Sequence, residues 1–398
     1  MADKPRFHEH VLRNRIGRPR QVALLSGPRR VGKTTPCRAL ASSYLNWDDN
    51  DDRRLILRGP AAVAAHLGPA RLREPNAIVV FDNLRSYRKW KHFLRGFCAT
   101  SGPRLRLIVT GGAALDIASE RRNGLAGRCF NLRMHPWSVG ECVRVVPAGS
   151  PVQPPASICD TDWNALMEHG GFPEPFLKRD PRFTRRWHAS RRQQLFASDL
   201  RELATLRDPA AVQMLALLLA ERSSARLVYS DFSRELGVAV DTIRRWVELL
   251  VRLQYGFCVR PWFTNVVQAL RKEPKWFLRD WSGIGEPAAR TRTFIACHLL
   301  KAVEGWTDLG LGQFELRYVR DKRKREVDFL VVRDRKPWFL VEVGNGDRLD
   351  DALGYFQART RARHAFQVVL DGSFVDADCF ARTDPTVVPA RTLLSQLL

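Results

Sequence analysis

The sequence predicts an α/β protein whose first domain is a parallel sheet organised around a phosphate-binding loop. Three observations predict it. Gly27-Pro28-Arg29-Arg30-Val31-Gly32-Lys33-Thr34-Thr35 fits the G-x-x-x-x-G-K-[ST] pattern. The run Val22-Ala23-Leu24-Leu25 before it is short and apolar, as in a strand buried on both faces. After it, Cys37, Leu40 and Ala41 recur at helical spacing.

Strand, glycine loop and helix are the arrangement that phosphate binding requires. Glycine lets the backbone wrap close to the phosphates with its N–H groups turned inward. The following helix N-terminus favours an anion. In that context Lys33 reaches the β- and γ-phosphates and the Thr34 hydroxyl ligates Mg²⁺. ATP and Mg²⁺ are therefore the expected ligands, held by residues 27–35.

The chain of 398 residues has room for two or three domains, and 45% hydrophobic content is enough for real cores. The formal net charge is +23, carried mostly by arginine. That excess favours a polyanionic partner, with DNA the leading expectation. The alternative is an arginine-rich codon usage that leaves a solvated basic surface. The eight cysteines form no C-x-x-C pair and have no histidine cluster beside them, which argues against a zinc site or a disulfide framework. A reducing cytoplasm follows as the expected location. The N-terminal residues carry no apolar signal segment, and no apolar run is long enough to cross a bilayer.

In chain order, residues up to about 20 read as a helix and a basic turn. Leu45 to Asp48 reads as a second strand entering the acidic run Asp48 to Asp52. Ala77-Ile78-Val79-Val80-Phe81-Asp82 is an apolar strand ending in a carboxylate, the form of a Walker B strand lying beside the loop strand. Its Asp82 is the expected second Mg²⁺ contact, often through water. A glutamate at the next position commonly polarises the attacking water, worth roughly 10²–10⁴-fold. Here that position is Asn83, which orients water but takes no proton. Asp48, Asp49 and Glu120 are the candidate replacements; failing them, hydrolysis is slow. Leu105 to Thr110 reads as a central strand next to Walker B. Thr110 is either a γ-phosphate sensor or an ordinary strand-end threonine. Arg128 is either an arginine finger, in cis or from a neighbouring copy in a homo-oligomer, or surface charge.

Pro147 to Pro155 reads as a linker. A helical stretch around Gln213 to Leu219 follows. Tyr229 to Gly237 and Asp241 to Leu250 then read as helix, short turn, helix. Ile243, Val247 and Leu250 form one face, and Arg244 and Arg245 point away from it. Those two arginines face DNA if the pair is a reading head, or water if it is only a packing element. From about Pro274 the pattern returns to α/β. A hairpin of Glu326–Val332 and Trp338–Val343, centred on Arg335, sets Asp328 opposite Glu342, with Cβ atoms about 5 Å apart.

These stretches together resemble the bacterial and archaeal AAA-type ATPases that carry a C-terminal restriction-endonuclease-like domain of unknown function. The matching motifs are Leu25 to Thr35, Val80-Phe81-Asp82, Val109-Thr110-Gly111 and Leu125-Ala126-Gly127-Arg128. They continue with His135-Pro136-Trp137-Ser138-Val139-Gly140-Glu141 and Gly170-Gly171-Phe172-Pro173-Glu174. The resemblance implies an AAA-like core over residues 1–146 and a helical, winged-helix-like middle over 147–265. A PD-(D/E)-x-K-like domain then covers 266–398. In that nuclease core paired acids, here Asp328 and Glu342, hold Mg²⁺. The lysine expected two residues after the second acid is Gly344, and Arg292-Thr293-Phe294 stands where an upstream glutamate is usual. The expectation is a degenerate site. Taken together, the sequence reads as an ATP-dependent switch or remodeller acting on DNA. The alternatives are a DNA nuclease gated by ATP and a non-hydrolysing ATP-bound scaffold.

Overall fold

The computed structural model describes residues 5–15, 22–74, 77–101, 106–112, 129–146, 149–199, 208–263, 272–344, 346 and 348–398. The chain divides into two units: residues 1–135 with 145–147, and residues 136–144 with 148–398.

The first unit opens with helix α1 (Phe7–Arg15) and continues through β1 (Val22–Ser26), α2 (Thr34–Leu40), β2 (Ser43–Asn46) and α3 (Asn50–Leu57). Next come α4 (Pro60–Leu67), α5 (Pro69–Arg73), β3 (Ile78–Asp82), α6 (Trp90–Thr100), β4 (Arg106–Gly111) and β5 (Cys129–Arg133). The strands form one five-stranded parallel sheet in the order β2-β3-β4-β1-β5. Every residue of β1 and β3 is buried, as an unbroken apolar strand requires when helices cover both faces of a sheet. Phe81 of β3 meets Phe93 and Phe97 of α6 edge-on at 5.5 and 5.1 Å, which ties helix to sheet.

One expectation is corrected by this order. The Walker B strand does not lie beside the loop strand: β4 pairs with both and separates them. Both outer partners align in parallel with β4, so Thr110 at its end stands between the loop and Asp82.

The second unit begins with α7 (Val139–Val143), α8 (Asp160–His169), α9 (Pro173–Lys178), α10 (Pro181–Gln194) and α11 (Pro209–Glu221). The helix-turn-helix follows as α12 (Tyr229–Leu236) and α13 (Val240–Arg252), with Gly237 between them at φ 65°. Glycine takes that left-handed conformation without steric cost. Then come β6 (Gly256–Pro261), β7 (Lys275–Leu278), α14 (Pro287–Asp308), β8 (Phe314–Arg320), β9 (Glu326–Arg333) and β10 (Lys336–Val343). Helix α15 (Asp351–Thr360), β11 (His364–Val369), β12 (Thr386–Pro389) and α16 (Ala390–Ser395) complete the unit. A seven-stranded mixed sheet runs in the order β12-β11-β10-β9-β8-β6-β7.

Two of the sequence motifs turn out to be packing devices. Ser138 caps α7, accepting the Glu141 N–H at 3.2 Å. Glu141 is buried against Lys301 of α14 at 2.5 Å, and Lys301 also donates to the Pro136 carbonyl at 3.0 Å. Beside that pair, His298 donates from Nδ1 to the Phe294 carbonyl and accepts the Val139 N–H at Nε2. Burial, with Lys301 adding to it, pushes its pKa down to about 3, so the ring is neutral. In the second motif, the Gly171 carbonyl accepts the Trp137 N–H at 2.7 Å. A Cβ there would strike the Trp137 backbone. The two motifs are therefore adjacent because each needs the other's backbone.

Candidate functional site

The loop between β1 and α2 turns through two left-handed residues, Arg30 at φ 63° and Gly32 at φ 95°. Gly27 abuts the Met134 backbone so closely that any side chain would collide. Arg6 fastens the loop from α1: its guanidinium donates to the Val31 carbonyl at 2.8 Å and to the His135 carbonyl at 2.6 Å. Lys33 folds over the loop, donating to the carbonyls of Gly27 and Pro28 at 2.8 and 2.9 Å. Its ammonium therefore lies at the mouth of the cradle formed by residues 27–35, with Pro28 and Val31 buried and Thr35 exposed.

Asp82 is the hub of the site. Thr34 Oγ1 donates to its Oδ2 at 2.8 Å, and the Tyr44 hydroxyl donates to the same oxygen at 2.5 Å. Thr110 donates to Oδ1 and accepts the Asn83 N–H at 2.9 Å. Three hydroxyls on one carboxylate, two of them uncharged neighbours from other strands, fix its orientation. Burial and then the bond to Asp82 push the Tyr44 phenol up, so it stays a donor. Thr34 and Asp82 supply the hard oxygen donors that Mg²⁺ takes alongside phosphate oxygens and water. The donor set fits ATP–Mg²⁺.

Asn83 adopts φ 52°, a conformation asparagine tolerates better than most residues. Its amide donates to both oxygens of Asp48, at 3.0 and 3.1 Å. Asp49 instead caps α3, accepting the N–H groups of Asp51 and Asp52. Of the acids named from the sequence that lie among the described residues, Asp48 is the one brought to Asn83. Glu120 and Arg128 lie outside the described residues. Tyr44 and Arg6 were not singled out from the sequence. Neither belongs to a motif, and only the strand order shows what they reach.

In the second unit Asp328 and Glu342 do come together. The Asp328 N–H donates to Glu342 Oε2 at 2.9 Å, and the Val343 N–H donates to Asp328 Oδ2 at 3.3 Å. The surroundings differ from the expected metal pair. Lys275 of β7 is buried and donates to Asp328 Oδ1 at 2.8 Å; its Nζ is 2.6 Å from Glu326. Arg292 approaches Asp328 Oδ2 at 3.5 Å. Burial alone would lower the Lys275 pKa, but Asp328 and Glu326 outweigh it and hold it raised, so the ammonium persists. Burial, with Asp328 beside it, pushes Glu342 up to about 8. Gly344, where a lysine was sought, faces Gln367, whose side chain would clash with any Cβ there. The positive charge thus enters from another strand. Among the described residues no group of three or more His, Cys, Asp or Glu side chains is arranged to hold a metal. Arg244 and Arg245 are both exposed on α13; Arg244 lies over the Tyr229 ring at 5.1 Å.

Comparison with known proteins agrees with the first unit's geometry. Residues 19–143 match the family model described as an AAA domain, and residues 160–286 match a domain of unknown function, DUF8612. The first unit is thus similar to AAA-type P-loop domains, a class that binds ATP. The chain is 27% identical over 263 residues to two uncharacterised proteins, Rv2008c of Mycobacterium tuberculosis and Mb2031c of Mycobacterium bovis. The match takes in 65% of this chain and 54% of each relative, so the chain spans about half the length of the curated relatives it matches. A solved structure titled as that of C. elegans PCH-2 covers 59% of this chain and 61% of that one, at 14% identity and a TM-score of 0.24. No helix among the described residues is long and apolar enough to cross a membrane.

Proposed function

We propose that this protein is an ATP-dependent switch acting on nucleic acid, with slow hydrolysis. One observation carries the ATP part: Thr34 and Asp82 meet at 2.8 Å below the loop that Lys33 closes. In this reading residues 27–35 hold the triphosphate, Lys33 its β- and γ-phosphates, and Thr34 and Asp82 the Mg²⁺. Thr110 positions Asp82, and through the Asn83 N–H it links the γ-phosphate region to the start of the next turn. Asp48 supplies the carboxylate missing at position 83, taking the proton by way of water while the Asn83 amide holds it in place. The magnesium ion supplies charge neutralisation on the phosphates. The helix-turn-helix followed by antiparallel β6 and β7 supports a winged-helix reading, and the basic composition supports a nucleic-acid partner.

The test is calorimetry with ATP–Mg²⁺ together with steady-state turnover. Wild type binds and turns over slowly. Lys33→Ala loses both, by about 10²-fold or more in affinity for the triphosphate, since charge-assisted contacts are each worth a few kcal/mol. Absence of heat with folded wild-type protein overturns the reading.

A nuclease gated by ATP is the second reading, favoured by Lys275 standing beside Asp328. The charge count weighs against it: Asp328 already faces Lys275 and Arg292, and Glu342 holds its proton at neutral pH. We therefore read the cluster as a buried ion network on a nuclease-like sheet.

A further inference from the structure

A groove of about 1280 Å³ lies in the second unit; no residue of α13 lines it, and its wall residues Tyr318 and Arg320 also border the Asp328 cluster, Tyr318 under the Lys275 ammonium and Arg320 on Glu326. It is bordered by the chain after β6, by the end of β8 with its turn into β9, and by α15. Seven basic side chains line it against two acids, Glu273 and Asp321. Both acids are already matched: Glu273 pairs with Arg226 at 3.0 Å, and Asp321 pairs with Arg325 at 2.7 Å while accepting its N–H. Arg320 is paired as well, with Glu326 at 2.8 Å, so the net field in the groove is set by Lys272, Lys322, Arg323 and Arg359. Lys322 and Arg323 are exposed at the tip of the β8–β9 turn.

Aromatic rings interleave with these cations. Trp262 and Tyr355 are half-buried at the groove wall, and Phe263 stands beside Trp262. Arg325 stacks on Tyr355 at 3.6 Å, and Arg359 donates to the Tyr355 hydroxyl at 2.9 Å. The Trp262 N–H is fixed to the Tyr318 carbonyl at 2.7 Å, which holds that segment to the sheet. Cation-flanked rings in a concave channel suit a polymer with regular negative charge and flat faces to stack. Unpaired nucleotides offer both; in a duplex the faces are hidden inside the stack. A flat anionic membrane does not enter a concavity, and the volume exceeds the few-hundred to 1,000 Å³ usual for one small ligand.

We infer that this groove binds single-stranded nucleic acid, with the β8–β9 turn on its phosphates and Trp262 and Tyr355 stacking its bases. The inference rests on the nucleic-acid part of the function proposed above, but assigns it to a surface other than α13.

The experiment is fluorescence anisotropy of the full chain with a labelled single-stranded DNA of mixed sequence, with its duplex, and with phosphatidylserine vesicles. Wild type binds the single strand more tightly than the duplex. Lys322→Glu with Arg323→Glu weakens it at least about 10-fold and lowers the log–log salt slope by about 1.4, two phosphates' worth for a single strand. Trp262→Ala weakens it roughly 5- to 150-fold, the range for one base–aromatic stack, and Trp262→Phe restores much of the loss. Unfolding temperatures of the variants exclude a folding defect. Loss of binding in Arg244→Glu with Arg245→Glu, but not in the turn variant, overturns the groove and leaves the nucleic-acid reading intact. A preference for duplex, or binding to vesicles alone, overturns the groove. No binding to any nucleic acid, with or without ATP–Mg²⁺, overturns both.

Discussion

In the proposed function, Asn83 is the residue that sets how fast the nucleotide is hydrolysed. An amide carries no exchangeable base, and here it is held by the two oxygens of Asp48 on one side and by the Ser86 hydroxyl, which donates to its Oδ1 at 3.1 Å, on the other. In the proposed reading the proton acceptor is Asp48, one side chain further out than a glutamate at position 83 would be. Asp48→Asn is expected to reduce turnover by about 10²-fold, the low end of a general base's contribution, with ATP–Mg²⁺ affinity nearly unchanged. Measuring turnover and binding separately checks it: an unchanged rate would remove Asp48 from the chemistry. The motif residues Gly27 to Thr35 and Asp82 were legible because their types and spacing are fixed by phosphate chemistry. Tyr44 was not, because a tyrosine in a short strand carries no signal of its own and is defined here only by the carboxylate it meets.

At the scale of elements, the β9–β10 hairpin shows how a register can hang on one irregularity. Asp334 and Arg335 form the turn with φ 49° and 66°, the left-handed pair that matches strand twist in a two-residue hairpin. Near that turn Lys336 pairs with Arg333 and Pro337 with Val332, a register that carried onward would set Asp328 against Val341. The irregularity between Pro337 and Phe339 shifts the pairing by one residue, so Val341 meets Phe329 and the acids become neighbours. Proline, lacking an N–H, is at home in such a break. The Asp328–Glu342 proximity was legible from the hydrophobic pattern; the arrival of Lys275 was not, since β7 lies fifty residues earlier in the chain. The neutral Glu342 has a consequence in pH. The folded protein keeps this proton after the unfolded chain has lost it, so its stability is full below the ordinary glutamate range. That stability falls as pH rises towards about 8. Glu342→Gln, which cannot ionise, is expected to flatten the fall by on the order of 4 kcal/mol between pH 5 and 9. Denaturant melts across that range measure it, and equal slopes in both proteins would count against a protonated Glu342.

For the whole molecule, the cores matter most. The first unit has its own cluster around Leu24, Val79, Phe81 and Val109, while the second is built on others, including Trp281, Phe294, Trp306 and Phe339. A ligand that binds only folded protein stabilises it by RT ln(1 + [L]/Kd), about 2.7 kcal/mol at one hundred times Kd. ATP–Mg²⁺ is therefore expected to slow hydrogen exchange in β1, β3 and β4 far more than in β8 to β11. Protection that rises equally in both units would mean that the nucleotide is not held by the loop alone. The net charge of +23 belongs to this scale too. It is one ground for proposing a polyanionic partner, and the fold gathers Lys322, Arg323 and the rings at Trp262 and Tyr355 along one groove.

By itself the sequence determined the phosphate loop, its flanking strand and helix, the carboxylate at the end of β3 and the alternation that makes β9 and β10 a pair. All are local: a spacing, a run of apolar residues, a residue type that chemistry restricts. The tertiary structure alone decided that β4 stands between the loop and Walker B strands, and that Tyr44 and Thr110 grip Asp82. It also decided that Asp48 backs Asn83, and that a lysine from β7 fills the charge position near Asp328. Those contacts join residues tens of positions apart, and sequence spacing carries no information about which strand lies next to which until the sheet is assembled.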